Sequence, residues 1–394
     1  MRPESRELIE KLVSFNTISQ HSNLALITYV QDYLQQHGVE SQLIYNEQQN
    51  KANLLACIGP EVAGGVVLSG HTDVVPVKGQ DWESDPFVLT ERAGRLYGRG
   101  TADMKSFLAL ALAAVPALVQ APLKHPVLLA FSYDEEIGCL GAPALIETLK
   151  KLYPQPRAVI IGEPTSMEPV VAHKSITTLR TTIRGHEAHS SQVQRGVSAV
   201  TLAARLIGFI DEMMRENQQQ AQTDSPFEPP YTTLHTGMIK GGTATNIIAG
   251  NCTFHWDIRC LPGDSAEPYL ERLNTYAEQL LAPLRTIAPQ ISVQTEITAQ
   301  VPAFDNPQGQ AYELLAHLIP GFKPQVVPFV TEAGQFQTAG FDAIVCGPGA
   351  IDQAHQPNEY ISIEQVQAAE IFFDRLLQFL CAPHQSLASG EASS

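Results

Sequence analysis

The chain has 394 residues, too many for one ordinary hydrophobic core, and a composition (44% hydrophobic, 17% charged) typical of a folded globular protein. Lys and Arg number 25 against 41 Asp and Glu, a formal charge of -16. That balance argues against nucleic acid or an anionic membrane surface as a partner, since both call for basic patches.

The N-terminal segment MRPESRELIEKLVSF is charged and amphipathic, with Leu8, Ile9, Leu12 and Val13 on one side and no apolar signal-peptide core. Helical patterns occur at 4–15, 23–37, 105–119 and 142–151, alternating with short apolar runs at 53–59, 65–71, 126–133 and 158–164. The most apolar run, FLALALAAVPALV at 107–119, is too short to span a bilayer and reads as a buried helix. Short apolar strands alternating with helices predict a largely parallel sheet covered on both faces. The middle of the chain changes style. A Thr-rich alternating strand at 175–185 is followed by a helix at 198–216, strands at 232–239 and 252–260, a helix at 266–284 and a strand at 291–298. That β-α-β-β-α-β order is the split, ferredoxin-like pattern. The earlier style then returns, with a strand at 343–349 and a long amphipathic helix at 362–380. The expected architecture is α/β: a larger domain from 1–175 and 297–382, an α+β domain inserted at 176–296, and a disordered tail at 383–394. The six cysteines form no CxxC pair, which suits a reducing cytoplasm.

The chemistry lies in short segments that follow the strands. SGHTDVVP offers His71 and Asp73, and GRGTADMK offers Asp103 just before the apolar helix. YDEEIG places Asp134, Glu135 and Glu136 side by side, GEPT offers Glu163, and GPGAIDQAHQP offers His355. Ligands collect outside the carboxyl ends of parallel strands, so these residues are expected to converge. Two adjacent like charges ~4 Å apart repel by roughly 4 kcal/mol at an effective dielectric of 20, so clustered acids call for a cation or a proton. Two imidazoles with several carboxylates suit a pair of zinc-type ions. Two other motifs fail. GRLYGRG lacks the spacing and the Lys-Ser/Thr of a phosphate loop, and HEAH at 186–189 is one residue short of a zincin helix.

In combination these segments resemble the zinc-dependent metallohydrolase family that holds acetylornithine deacetylase, succinyl-diaminopimelate desuccinylase, aminoacylase and related carboxypeptidases. The resemblance covers residues ~1 to 380. It implies that Asp103 bridges two divalent metals, zinc with cobalt as the alternative, and precedes a cis peptide to Met104. His71 and Glu163 would complete one metal site, Glu136 and His355 the other. Asp73 would orient the His71 ring, and Glu135 would be the general base. The inserted domain would act as lid and dimerisation module of a homodimer, with His189 as an oxyanion donor to the other subunit. Asn246 and Arg259 would bind the α-carboxylate of a small N-acyl amino acid. Within the family, HSNLALI, KANLLACIGP, FVTEAGQFQTAG and GPGAIDQAHQPNEYI are most similar to the acetylornithine deacetylases, for which Glu332 would meet the substrate's distal ammonium. A desuccinylase or dipeptidase would share the same ligand set, and fold alone does not choose among them.

Overall fold

The computed structural model describes residues 1–221 and 223–382, so the tail expected at 383–394 lies outside the described residues. The chain divides into two compact units. One comprises Met1–Ala172, Asp305–Gln325 and the residues from Thr331, the other His173–Phe304 and Val326–Val330.

The first unit is built on a nine-stranded sheet. In spatial order its strands are Ser41–Tyr45, Ala52–Ile58, Val127–Ser132, Val66–His71, Ala158–Ile161, Ala343–Val345, Val170–His173 and Phe304–Asp305, with Gln325–Val327 beside Val170–His173. The sheet is mixed rather than largely parallel. Val66–His71 runs parallel to both Val127–Ser132 and Ala158–Ile161, and Ala343–Val345 runs parallel to Ala158–Ile161. Towards one edge, Ala52–Ile58 and Ser41–Tyr45 pair antiparallel. The reason is connectivity: the short Asn46–Lys51 turn can join only antiparallel neighbours, whereas the central strands are separated by helical crossovers. The central strands are buried along their whole length, as the continuous runs VVLSGH and VLLAFS require. The helix Lys105–Gln120 is buried over most of its residues, and Pro3–Val13 and Ile363–Cys381 pack beside it. A separate small sheet joins Thr90–Arg92, Arg95–Tyr97 and Tyr360–Ser362.

The second unit has a four-stranded antiparallel sheet in the order Thr233–Gly241, Asn251–Arg259, Ile176–Arg184, Ser292–Val301. Ile176–Arg184 alternates strictly, burying Leu179, Thr181 and Ile183. One face therefore packs Leu179, Ile183, Phe254, Trp256 and Ile258 against Leu202, Leu206 and Ile210 of the helix Ala199–Gln219 and Leu273 of Glu267–Leu281. This unit runs past residue 296, because Ser292–Val301 pairs with Ile176–Arg184 as far as Val301 opposite Ile176. Among the described residues, no helix is long and apolar enough to cross a membrane.

Candidate metal centre

Four central strands run parallel, so their carboxyl ends share one edge of the sheet. His71 is the last residue of its strand, Glu135 and Glu136 follow Val127–Ser132, and Glu163 follows Ala158–Ile161. His355 lies downstream of Ala343–Val345, and Asp103 precedes the helix Lys105–Gln120. Glycines allow the approach. A Cβ on Gly70 would meet Met104 Cε at 2.4 Å, and one on Gly162 would meet the Phe107 ring at 2.1 Å. Each glycine precedes a candidate ligand, and both face the first turn of the helix that follows Asp103. The Asp103–Met104 peptide is cis.

The donors converge as two sets around Asp103. Its Oδ1 lies 2.9 Å from His71 Nε2, which is also 3.7 Å from Glu163 Oε1. Its Oδ2 lies 3.4 Å from His355 Nε2, which is 3.0 Å from Glu136 Oε2. His71, Asp103 and Glu136 offer ligand atoms within 4.8 Å of one another, and so do His71, Glu135 and Glu163. His71, Asp103 and Glu163 are buried, while the His355 side chain is 54% exposed.

Burial first, then the Asp103 charge, raises Glu136 to about 7. Burial likewise pushes Glu135 well above the carboxylate range against the pull of His71, with Glu136 adding to the rise; it lifts Glu163 too, with Asp103 adding to it. Hydrogen bonds to Asp103 and Glu136 hold His355 up at about 10. Burial works against the His71 cation, yet Glu163 and Asp103 raise it well above the ordinary imidazole range. The cluster thus draws protons because it is short of positive charge. Nearby cations are engaged elsewhere: Lys51 pairs with Asp134 and Arg99 with Glu359. Two imidazole and several carboxylate donors, arranged as two sets around a shared aspartate, fit two divalent ions.

Asp73 acts through an unexpected atom. His71 Nδ1 donates to the Asp73 main-chain carbonyl at 2.9 Å, while the carboxylate Oδ1 stands 3.6 Å away. The carboxylate instead accepts from Ser19 Oγ at 2.7 Å and from the backbone N–H groups of Glu135 and Glu136 at 3.2 and 3.4 Å. It ties the acid loop to the His71 loop. Glu135 accepts from the Cys139 thiol at 3.3 Å. Glu332 is 1% exposed; its Oε2 accepts from Ser69 Oγ at 3.3 Å, and burial raises its pKa above the usual carboxylate value against the pull of a hydrogen bond from Ser132. In the second unit, His189 is exposed and its Nδ1 accepts from Ser191 N and Oγ at 3.2 and 2.8 Å, which leaves the proton on Nε2. Asn246 is exposed, and Arg259 lies 3.5 Å from Asp257.

The sequence reading missed Glu359, Arg99, Lys51 and Cys139, whose partners are 4 to 260 positions away. For Arg99 and Glu359 the local signal was a charged residue four positions from a candidate ligand; Lys51 and Cys139 had none.

The fold has solved relatives. A metallo-carboxypeptidase from Sulfolobus solfataricus superposes with a TM-score of 0.74 at 21% identity, covering 97% of this chain and 100% of that one. A di-peptidase from Saccharomyces cerevisiae gives 0.73 at 18% identity, covering 97% of each chain. A dinuclear metal-binding peptidase from Bacillus subtilis gives 0.62 at 15%, covering 96% of this chain and 97% of that one. At these identities the likeness is one of fold. The sequence itself carries more, because the profile of one family matches from Val67, in the strand that ends at His71, to Gln378, beyond His355. With most of its length accounted for in this way, the chain belongs to peptidase family M20/M25/M40.

Proposed function

We propose that the chain hydrolyses the amide of N2-acetyl-L-ornithine to L-ornithine and acetate, as a step in arginine biosynthesis. The observation that carries the hydrolytic part is Asp103, one oxygen of which lies against His71 and the other against His355, with Glu163 beside His71, Glu136 beside His355, and Glu135 grouped with His71 and Glu163. In this reading His71, Asp103 and Glu163 hold one divalent ion, and Asp103, Glu136 and His355 hold the other. The nitrogen and oxygen donors favour zinc and also accept cobalt. Such ions supply Lewis acidity toward water and a carbonyl oxygen. Glu135 takes one proton from the attacking water as the new C–O bond forms, and returns it to the nitrogen as the C–N bond breaks. Asp73 keeps Glu135 in reach by holding its backbone N–H. Arg259 and Asn246 bind the substrate carboxylate, and His189 Nε2 donates to the developing oxyanion across a homodimer.

The ornithine assignment rests on the segments around Lys51, Glu332 and His355. In this reading the buried Glu332, beside Ser69 and Ser132, meets the substrate's distal ammonium. The second reading is a dipeptide substrate, suggested by the di-peptidase and carboxypeptidase among the structural relatives. Ornithine release by zinc-loaded protein tests the proposal. Glu135→Gln is expected to lose about 10²- to 10⁴-fold in kcat while still binding two ions, and mixing it with His189→Ala is expected to restore part of the activity. Turnover of dipeptides without turnover of acetylornithine would replace the first reading with the second.

A further inference from the structure

Glu359 lies four residues beyond His355, and its side chain is fully buried at 0% exposure. The small sheet puts it there. Tyr360 pairs with Tyr97, so Glu359 comes to lie against the loop that leads to Asp103. Its Oε1 accepts from three backbone N–H groups of that loop: Gly100 at 3.0 Å, Ala102 at 2.8 Å and Asp103 at 3.1 Å. Its Oε2 accepts from Arg99 Nη1 at 2.7 Å. Arg99, 1% exposed, reaches onward. Its Nη2 donates to Gln80 Oε1 at 2.6 Å and its Nη1 to the Gln356 carbonyl at 3.3 Å. Gln80 Nε2 then donates to the main-chain carbonyl of His355 at 2.8 Å.

One buried ion pair thus grips the backbone on both sides of a single donor set. Packing does not explain it, because a buried ion pair replaced by apolar residues of similar volume is often as stable or more so. A charged network of this kind does specify position, since a shift of either loop would break several of its hydrogen bonds at once.

We infer that Glu359, acting through Arg99 and Gln80, is the positioning residue that fixes Asp103 relative to His355 and so sets affinity for the ion those two residues share. The inference rests on the metal reading given above.

Calorimetric titration of the full chain with Co²⁺ after chelation tests it. Wild type is expected to show two binding events. Gln80→Ala, at a half-buried loop position, removes the donor to the His355 carbonyl and the acceptor of Arg99 Nη2 while leaving the Glu359 contacts in place, and is expected to weaken one event by about 10- to 100-fold. Glu359→Gln keeps an acceptor for the N–H groups but loses the charge pair with Arg99. It acts on Asp103, which both sets share, and is expected to weaken both events. Wild-type affinities in the two variants would overturn the inference and leave the metal reading intact. So would a lower melting temperature of the metal-free variants with unchanged affinity, since that is the mark of a purely structural role. Absence of binding by the wild type would overturn both readings. If Glu359→Gln does not fold, Gln80→Ala decides alone.

Discussion

The Cys139 thiol points its hydrogen at the carboxylate proposed as the general base, 3.3 Å from Glu135 Oε1. Cys139 itself sits at a φ of +53°, in the left-handed region, where the turn after Glu136 folds back on the strand. A thiol is a weak donor, and losing a hydrogen bond of about 1 kcal/mol corresponds to about fivefold in rate. Cys139→Ala is therefore expected to lower kcat about fivefold with little change in KM, and Cys139→Ser to recover most of it. Equal activity in all three proteins would show that the thiol does not orient the base. Cys139 also marks where sequence reading stopped. His71, Asp103, Glu136 and Glu163 could be singled out because each lies close after a strand-like run or before a helical one, whereas His355, ten residues beyond Val345, took its place in the proposed ligand set from the family resemblance. Cys139, Glu359 and Lys51 were not legible, because a buried thiol or charge declares its partner only after folding.

The loop from Tyr133 to Gly141 shows how an element is made rigid without being helix or strand. Asp134 has a φ of +56°, Cys139 N donates to the Glu135 carbonyl at 2.9 Å, and Gly141 N donates to the Tyr133 carbonyl at 3.1 Å. Lys51 anchors it from the side, pairing with Asp134 and donating to the Ser19 carbonyl, with both ionic side chains about one-tenth exposed. Removing one partner of such a pair leaves an uncompensated buried charge, at a cost of about 3–5 kcal/mol. Lys51→Met is expected to destabilise the protein by that amount in urea unfolding. Lys51→Met combined with Asp134→Asn is expected to recover most of the loss, because Asn is neutral and tolerates the left-handed conformation. Elements of this size divide sharply in how well a sequence announces them. The helices Leu24–Gln36 and Ile363–Cys381 follow the apolar periodicity to within one residue of expectation. The three-residue strands Thr90–Arg92, Arg95–Tyr97 and Tyr360–Ser362 have no period to read, and their pairing is decided by tertiary contact.

Across the whole molecule, the excess of acid makes alkaline pH an unpromising place to look for stability, yet buried lysines run against that trend, Lys105 and Lys174 both being pushed down by burial. Lys174 is 1% exposed and donates to the carbonyls of Pro229 and Tyr231 at 2.8 and 2.7 Å. Burial, aided by the Arg259 charge, pushes its pKa down to about 8 from an ordinary value of 10.5. Between those two pH values the unfolded chain binds the proton and the folded chain does not, so this group's contribution to stability rises with pH across that window. The difference in urea midpoint between wild type and Lys174→Met is expected to shift in favour of wild type from pH 8 to pH 10. A constant difference would mean that Lys174 stays charged throughout. The mixed sheet is a companion lesson at this scale: buried runs such as VVLSGH identify strands, while their directions depend on connections that the runs themselves do not encode.

The register of Ile176 opposite Val301 has a consequence for how such a chain can change over time. The backbone leaves on one strand and returns on its hydrogen-bonded neighbour, about 5 Å away. For the polypeptide on either side, an excursion of more than a hundred residues is equivalent to a hairpin. A gene can therefore gain, lose or exchange the whole passage by cutting at two adjoining points, with no strand rerouted and no helix handed a new neighbour in sequence.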